Sequence, residues 1–89
     1  MRNLKQMIAF RQDIKTVQKR GKDMEKLKPL IIDLVFEVPL DPKYKDHPLV
    51  GQYKGDRECH IEGDWLLIYT IIGNDLILVR TGTHSDLFQ

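Results

Sequence analysis

The chain has 89 residues, of which 42% are hydrophobic, and its net charge at neutral pH is +1. These values predict a single small domain with a modest core. The single cysteine, Cys59, excludes an internal disulfide and a cysteine-rich zinc cluster, and it fits a reducing compartment. Residues 1–11 carry charges and no unbroken apolar run, so we expect neither a signal peptide nor a membrane span. We therefore expect a cytoplasmic protein.

The small net charge conceals an asymmetry between the two parts of the chain. Residues 1–28 hold nine basic and three acidic side chains, a balance of +6, so the remainder carries −5. Such a basic segment can follow the phosphates of a nucleic acid, or it can form the solubilising outer faces of helices. The charge pattern leaves both interpretations open.

Two helices are predicted in the first half of the chain. The first runs from Ile8 to Arg20, and Gly21 ends it. The second follows an N-cap at Asp23, but Pro29 interrupts its pattern, so the helix either kinks at Pro29 or begins there. Their apolar stripes consist of Phe10, Ile14 and Val17, and of Leu27, Leu30, Ile31, Leu34 and Val35. We expect an antiparallel helical hairpin.

A long loop and then a sheet are predicted in the second half. Residues 38–56 are rich in proline, glycine and polar side chains, which indicates an ordered loop. The strand candidates are Arg57 to Ile61, Trp65 to Ile72 and Leu76 to Thr81, with a weaker one at Leu4 to Met7. The second is apolar on both faces, which is typical of a central strand. The predicted fold is α+β, with the helical hairpin packed on a small antiparallel sheet.

The three histidines, His47, His60 and His84, all lie in the second half. In the strand from Arg57, Glu58 and His60 are two apart and share a face, and Asp64 stands at the following turn. Such a group can move protons between oxygens near neutral pH. RNA cleavage needs an acid, a base and a cation, and no metal, because the 2′-hydroxyl is the nucleophile.

Each candidate also has a structural interpretation. His47 can be an ordinary loop residue, and the Glu58 and His60 pair can simply stabilise a strand. Arg57 and Arg80 are residues of a type that usually forms salt bridges, and Phe88 can pin the tail to the core or stack on a base. A zinc site made of the three histidines and Asp64 is disfavoured, because the spacings match no short metal motif. We expect Trp65, Tyr69 and Cys59 to be buried.

Four ordered segments of the second half resemble the motifs of YafQ toxins of the RelE superfamily. They are Tyr44-Lys45-Asp46-His47-Pro48-Leu49, Arg57-Glu58-Cys59-His60, Asp64-Trp65-Leu66-Leu67-Ile68-Tyr69 and Arg80-Thr81-Gly82-Thr83-His84-Ser85-Asp86-Leu87-Phe88. The earlier segment Lys19-Arg20-Gly21-Lys22-Asp23-Met24 is similar too, so the likeness spans nearly the whole chain.

The resemblance implies an endoribonuclease that cleaves messenger RNA in the ribosomal decoding site without a cofactor. It implies active residues at His47, Glu58, His60, Asp64, His84 and Phe88, with His84 and Asp64 doing most of the acid-base work. Many family members have Asp at the position of Glu58. Arg80 is the candidate cation for the transition state, with Arg57 and Lys54 as weaker candidates, and the predicted RNA-binding residues are Lys45, Lys54 and Arg57.

The resemblance also implies partners. They are the ribosome, messenger RNA and an antitoxin with a ribbon-helix-helix domain. Operator DNA is expected to be bound only through this antitoxin, and no membrane partner is expected. Two other functions stay open at this point: a non-catalytic RelE-like protein that binds antitoxin or ribosome, and a small DNA-binding regulator, which ranks last because no recognition-helix motif is evident in the first 37 residues.

Overall fold

A five-stranded sheet is the frame of the computed structural model, which describes residues 1–88. Its elements in chain order are β1 (Asn3–Gln6), α1 (Ile8–Lys19), α2 (Met24–Val35), β2 (His47–Pro48), β3 (Arg57–Glu62), β4 (Trp65–Ile72), β5 (Asp75–Gly82) and α3 (His84–Leu87). Short 3₁₀ turns at Pro42–Tyr44 and Gly51–Tyr53 lie on either side of β2. The strand order is β1-β5-β4-β3-β2. The α+β prediction is confirmed.

The prediction of a purely antiparallel sheet is wrong at its first strand. Strands β2 to β5 pair antiparallel, but β1 lies parallel to β5. Two parallel strands need a long connection, and here the helical hairpin and the other three strands separate β1 from β5 in the chain. The sheet is therefore mixed.

The helical hairpin covers one face of this sheet. Helix α1 buries Phe10 and Val17, and α2 buries Leu27, Leu30 and Leu34. The carboxylate of Asp23 accepts a hydrogen bond of 2.9 Å from the backbone N of Glu25, which satisfies a free amide at the first turn of α2. Helix α2 therefore begins at Met24, and Pro29 lies inside it.

The central strand β4 is covered on both sides, as its sequence predicts. Trp65, Leu67 and Tyr69 belong to the core under the helices, whereas Leu66 and Ile68 pack with Leu87 on the other face. Cys59 is buried, as expected, on the helix-covered side. No helix within residues 1–88 is long and apolar enough to span a membrane. The site described below lies on the face away from the hairpin.

Candidate active site

His84 is the first residue of α3, and Asp64 holds it in place. The Asp64 carboxylate oxygen Oδ1 accepts a hydrogen bond of 3.0 Å from the backbone N of His84 and one of 2.5 Å from its ring Nδ1. These two bonds, the backbone one first, lower the pKa of Asp64 below its usual range. The ring therefore has its Nδ1–H on a carboxylate and its Nε2 available to a ligand.

The short helix that carries His84 is fixed by its own cap and by α1. Thr83 and Asp86 form a capping box, with the Thr83 hydroxyl accepting from the Asp86 backbone N and Asp86 accepting from the Thr83 N. Arg20, just after α1, donates to both oxygens of Asp86 at 2.6 and 3.2 Å. Hydrogen bonds from Arg20 and Thr83 hold the pKa of Asp86 far below its usual range. The α3 helix is thus anchored to the helical hairpin.

Glu58 is the buried centre of a second group, which contains the other two histidines. Its side chain is 5% exposed, and its Oε2 lies 3.1 Å from Nε2 of His47 and 3.5 Å from Nε2 of His60. The two-residue strand β2 brings His47 here by pairing it with Glu58. The His47 Nδ1 lies 2.6 Å from the Lys45 carbonyl oxygen, so both ring nitrogens of His47 face oxygen atoms.

The second oxygen of this carboxylate is unusual. Glu58 Oε1 is buried and has no hydrogen-bond partner within the part of the chain that the structure describes. Buried carboxylate oxygens are normally hydrogen-bonded, and an exception is explained by strain, by a catalytic role, or by a water or ion that supplies the partner. The His47, Glu58 and His60 ligand atoms all lie within 4.8 Å of one another, so these three residues could hold a metal ion. This group differs from the zinc set of three histidines and Asp64 that the sequence disfavoured, because it contains Glu58 and lacks His84 and Asp64.

Five rings form a continuous row that joins the two groups. Consecutive ring centroids are 6.2 Å apart from His47 to His60, 5.8 Å from His60 to His84, 6.0 Å from His84 to Phe88, and 5.4 Å from Phe88 to Tyr53. Phe88 is 40% exposed, whereas Leu87 before it is buried and pins the tail. An exposed aromatic ring beside a histidine is a surface on which a base can stack.

The two arginines lie differently from one another. Arg57 is paired with Tyr69 across the sheet and so shares the face opposite to Glu58 and His60. Its guanidinium donates to the Asp46 carboxylate, with the shortest contact 3.1 Å. The prediction that Arg57 contacts RNA is therefore not favoured by the structure, because its side chain is directed away from the histidines and neutralised by Asp46.

Arg80 is held by α1 beside the ring row. Its Nε and Nη2 donate to the Asp13 carboxylate at 2.6 and 3.0 Å, and this bonding raises the pKa of Arg80. Tyr53, the last ring of the row, is close enough to contribute to the same shift. Arg80 thus stays a cation near Tyr53, but one that already has a carboxylate partner. The side chains of Lys45 and Lys54 are exposed.

Sequence reasoning missed two residues that shape this site. Asp46, next to His47, accepts a 2.5 Å hydrogen bond from the buried Tyr69 hydroxyl as well as those from Arg57. It therefore ties the His47 segment to the core. Tyr53 supports Phe88 edge-on. Both lie in the region of irregular backbone between α2 and β3, where no periodic pattern could have identified them.

Comparison with known proteins identifies the class to which this fold and this histidine-carboxylate site belong. Residues 2–89 match the profile of a family described as a bacterial toxin of type II toxin-antitoxin systems, YafQ. The class is therefore that of type II toxins. Within this class, the chain is a member of the YafQ toxin family.

Relatives of known structure or name agree with this assignment. The mRNA interferase toxin YafQ of Escherichia coli K12 is 50% identical over 80 residues, which are 89% of this chain and 87% of the relative. The toxin in the E. coli DinJ-YafQ complex superposes with a TM-score of 0.92 at 46% identity, over 100% of both chains. A copper-bound mutant toxin from Helicobacter pylori gives a TM-score of 0.93 at 40% identity, over 99% of this chain and 100% of that one.

The resemblance noted in the sequence is thereby confirmed. The solved toxins share the α+β arrangement of helices on a sheet, which is consistent with a RelE-like fold. The relatives named mRNA interferase are endoribonucleases, so the prediction of an enzyme of this kind is confirmed at the level of the family.

Proposed function

We propose that this chain cleaves messenger RNA in the ribosomal decoding site by proton transfer that requires no metal. The observation that carries the proposal is the Asp64–His84 pair, in which the ring Nδ1 is 2.5 Å from Oδ1 and the ring's other nitrogen stays available. A histidine held this way can take or give a proton near neutral pH. Messenger RNA is proposed as the substrate because a relative that is 50% identical is named an mRNA interferase.

The reaction is an internal transfer at phosphorus. A base removes the proton from the 2′-hydroxyl, the 2′-oxygen bonds to phosphorus, and the bond from phosphorus to the 5′-oxygen breaks. An acid protonates that oxygen, leaving a 2′,3′-cyclic phosphate and a 5′-hydroxyl. Positioned proton transfer contributes about 10² to 10⁴-fold, and the ribosome would supply orientation of the strand.

The residues divide these tasks according to their placement. His84, oriented by Asp64, performs one of the proton transfers. His47, His60 and the cation Arg80 stabilise the negative phosphate, while Glu58 keeps the two histidines in place. The exposed ring of Phe88, 6.0 Å from that of His84, positions a base by stacking.

The partners follow from the family and from the surface charge. The basic segment 1–28 docks on ribosomal RNA, and Lys45 and Lys54 contact the message. A cytoplasmic antitoxin with a ribbon-helix-helix domain wraps the toxin and connects it to operator DNA. The E. coli relative in complex with DinJ supports such a partner.

Induced expression in a bacterium tests this function. We expect the wild-type chain to stop growth and to fragment transcripts, and His84→Ala to do neither. Ser85→Ala, an exposed neighbour on the same helix, is the control and should behave as wild type. Equal growth with intact transcripts in the wild type and in His84→Ala would contradict cleavage, and ribosome binding by that inactive wild type would instead favour a non-catalytic RelE-like protein.

A further inference from the structure

A second concavity adjoins the catalytic residues on the far side of His60, and the mechanism above does not use it. It has a volume of about 610 Å³ and lies between the first turns of α2, the turn Pro42–Tyr44 and the end of β3. Pockets of about 300 to 1,000 Å³ are the size that holds small ligands. His60 lines this cavity at the edge of β3 and also belongs to the histidine group.

The shortness of β2 leaves the cavity open. Because β2 pairs only with Arg57 and Glu58, the outer edge of β3 has no neighbouring strand from Cys59 onward. The cavity occupies the space where a longer β2 would have run.

The charges in the cavity favour an anion. Its two acids are already paired, since Lys26 contacts Glu62 at 2.5 Å and Lys28 contacts Glu25 at 3.1 Å. Lys43 and Lys45 also line it, and within residues 1–88 neither forms a salt bridge. Two cations without acidic partners beside a catalytic histidine suit a phosphate.

The cavity also offers an aromatic surface. Tyr44 is half-buried, packs against the core and lines the cavity, while the Nζ of Lys43 lies 5.1 Å from its ring centroid. Single-stranded nucleic acids are held by the same combination of a stacked base and nearby cations. Tyr44 and Lys43 together therefore fit one nucleotide.

The row of rings suggests the path that the RNA strand follows across the protein. Phe88, His84 and His60 follow one another at centroid distances of 6.0 and 5.8 Å, and the cavity begins at His60. We propose that the cavity is a second nucleotide subsite of the RNA substrate, in which the base stacks on Tyr44 and Lys43 contacts the phosphate. The nucleotide it binds lies across the scissile phosphate from the one stacked on Phe88, an inference that rests on the proposed endoribonuclease activity.

Cleavage of messages on programmed ribosomes tests the subsite. We expect Tyr44→Leu to raise the toxin concentration for half-maximal rate about tenfold, because one stacked base is lost, with little change in the maximal rate. Tyr44→Phe keeps the ring and should match wild type. Lys43→Ala should raise the same value about threefold, whereas Lys43→Arg, which keeps the positive charge, should not. Wild-type values for both Tyr44→Leu and Lys43→Ala would overturn the inference.

A binding measurement separates this inference from the proposed function. A 2′-O-methyl RNA trinucleotide cannot be cleaved, and we expect it to shift the amide resonances of Tyr44, Ile61 and Gly63 in the free protein. If wild type cleaves nothing, the proposed function fails and these shifts alone decide the subsite: shifts there uphold it, and their absence overturns it. Equal shifts with an oligoglutamate peptide would assign the cavity to an acidic protein and would also overturn it.

Discussion

Asp64 accepts two hydrogen bonds from His84 through a single oxygen, Oδ1, one from the backbone and one from the ring. The carboxylate belongs to the turn between β3 and β4, and the histidine begins α3, so one contact fixes the short helix and orients the ring. The tautomer of a histidine is set by the partner of its other nitrogen. Asp64 is therefore the residue that makes the Nε2 of His84 available for chemistry.

The first prediction concerns the acid titration of Asp64. Its pKa is lowered by the two bonds from His84, so the carboxylate stays charged below the usual value of about 3.9. The stability that it contributes is present above that pH and is lost only as the pH falls through the lowered folded value. We expect NMR to show the Asp64 carboxyl titrating below pH about 3.9, and His84→Ala, which keeps only the backbone bond, to move the midpoint upward. Identical midpoints would contradict the ring contact.

The second prediction concerns the length of the Glu58 side chain. Glu58→Asp draws the carboxylate back by one methylene, away from His47 and His60, which it contacts at 3.1 and 3.5 Å. A displacement of about 1 Å at a catalytic group can cost about 10²-fold in rate, so we expect cleavage to fall between about tenfold and 10²-fold. Unfolding free energy should fall by only about 1 kcal/mol. Glu37→Asp, the same change at an exposed site, is the control, and an unaltered rate in Glu58→Asp would disprove the positioning role.

The third prediction concerns the anchor of the His47 segment. Tyr69→Phe removes the hydroxyl that donates to Asp46 at 2.5 Å, and Asp46→Ala removes the acceptor. Each should lower the unfolding free energy by about 1 to 2 kcal/mol, because Asp46→Ala leaves the buried Tyr69 hydroxyl without its partner and Tyr69→Phe removes the hydrogen bond itself. Denaturant unfolding of the double variant should show a smaller loss than the sum of the two. Additive losses would show that the two groups do not act together.

The fourth prediction concerns metal ions. Cleavage should survive a chelator, because no proposed step uses a metal. Added Zn²⁺ should inhibit by binding His47, Glu58 and His60, whose ligand atoms lie within 4.8 Å of one another. Calorimetry should detect binding of Zn²⁺ to the His84→Ala variant and no binding to the double variant His47→Ala/His60→Ala. Loss of activity in the chelator, restored by metal, would contradict the metal-free mechanism.

The sequence predicted the parts of the fold that follow local periodicity. The bounds of β4, Trp65 to Ile72, agree with the structure, since the run is apolar on both faces and glycines flank it. The direction of β1 could not be predicted, because parallel pairing with β5 is decided by tertiary packing and not by the local sequence. The existence of β2 could not be predicted either, because a two-residue strand has no periodic pattern.

The same limit applies to the site. The spacing of Glu58 and His60 correctly placed them on one face, but their third partner is His47, which only the return of the loop through β2 brings close. Asp64 contacts His84 rather than Glu58, and Arg80 finds its partner Asp13 on α1, 67 residues away. Period-two alternation could have shown that Arg57 faces away from His60.

The most direct test of the central claim is the chemistry of the RNA ends produced on programmed ribosomes. Wild-type toxin should leave a 2′,3′-cyclic or 3′-phosphate on the upstream fragment and a 5′-hydroxyl on the downstream one, with a chelator present. His84→Ala should make the same ends at a rate at least about 10²-fold lower. Fragments with 5′-phosphate ends, or equal rates for wild type and His84→Ala, would contradict proton transfer by the Asp64–His84 pair.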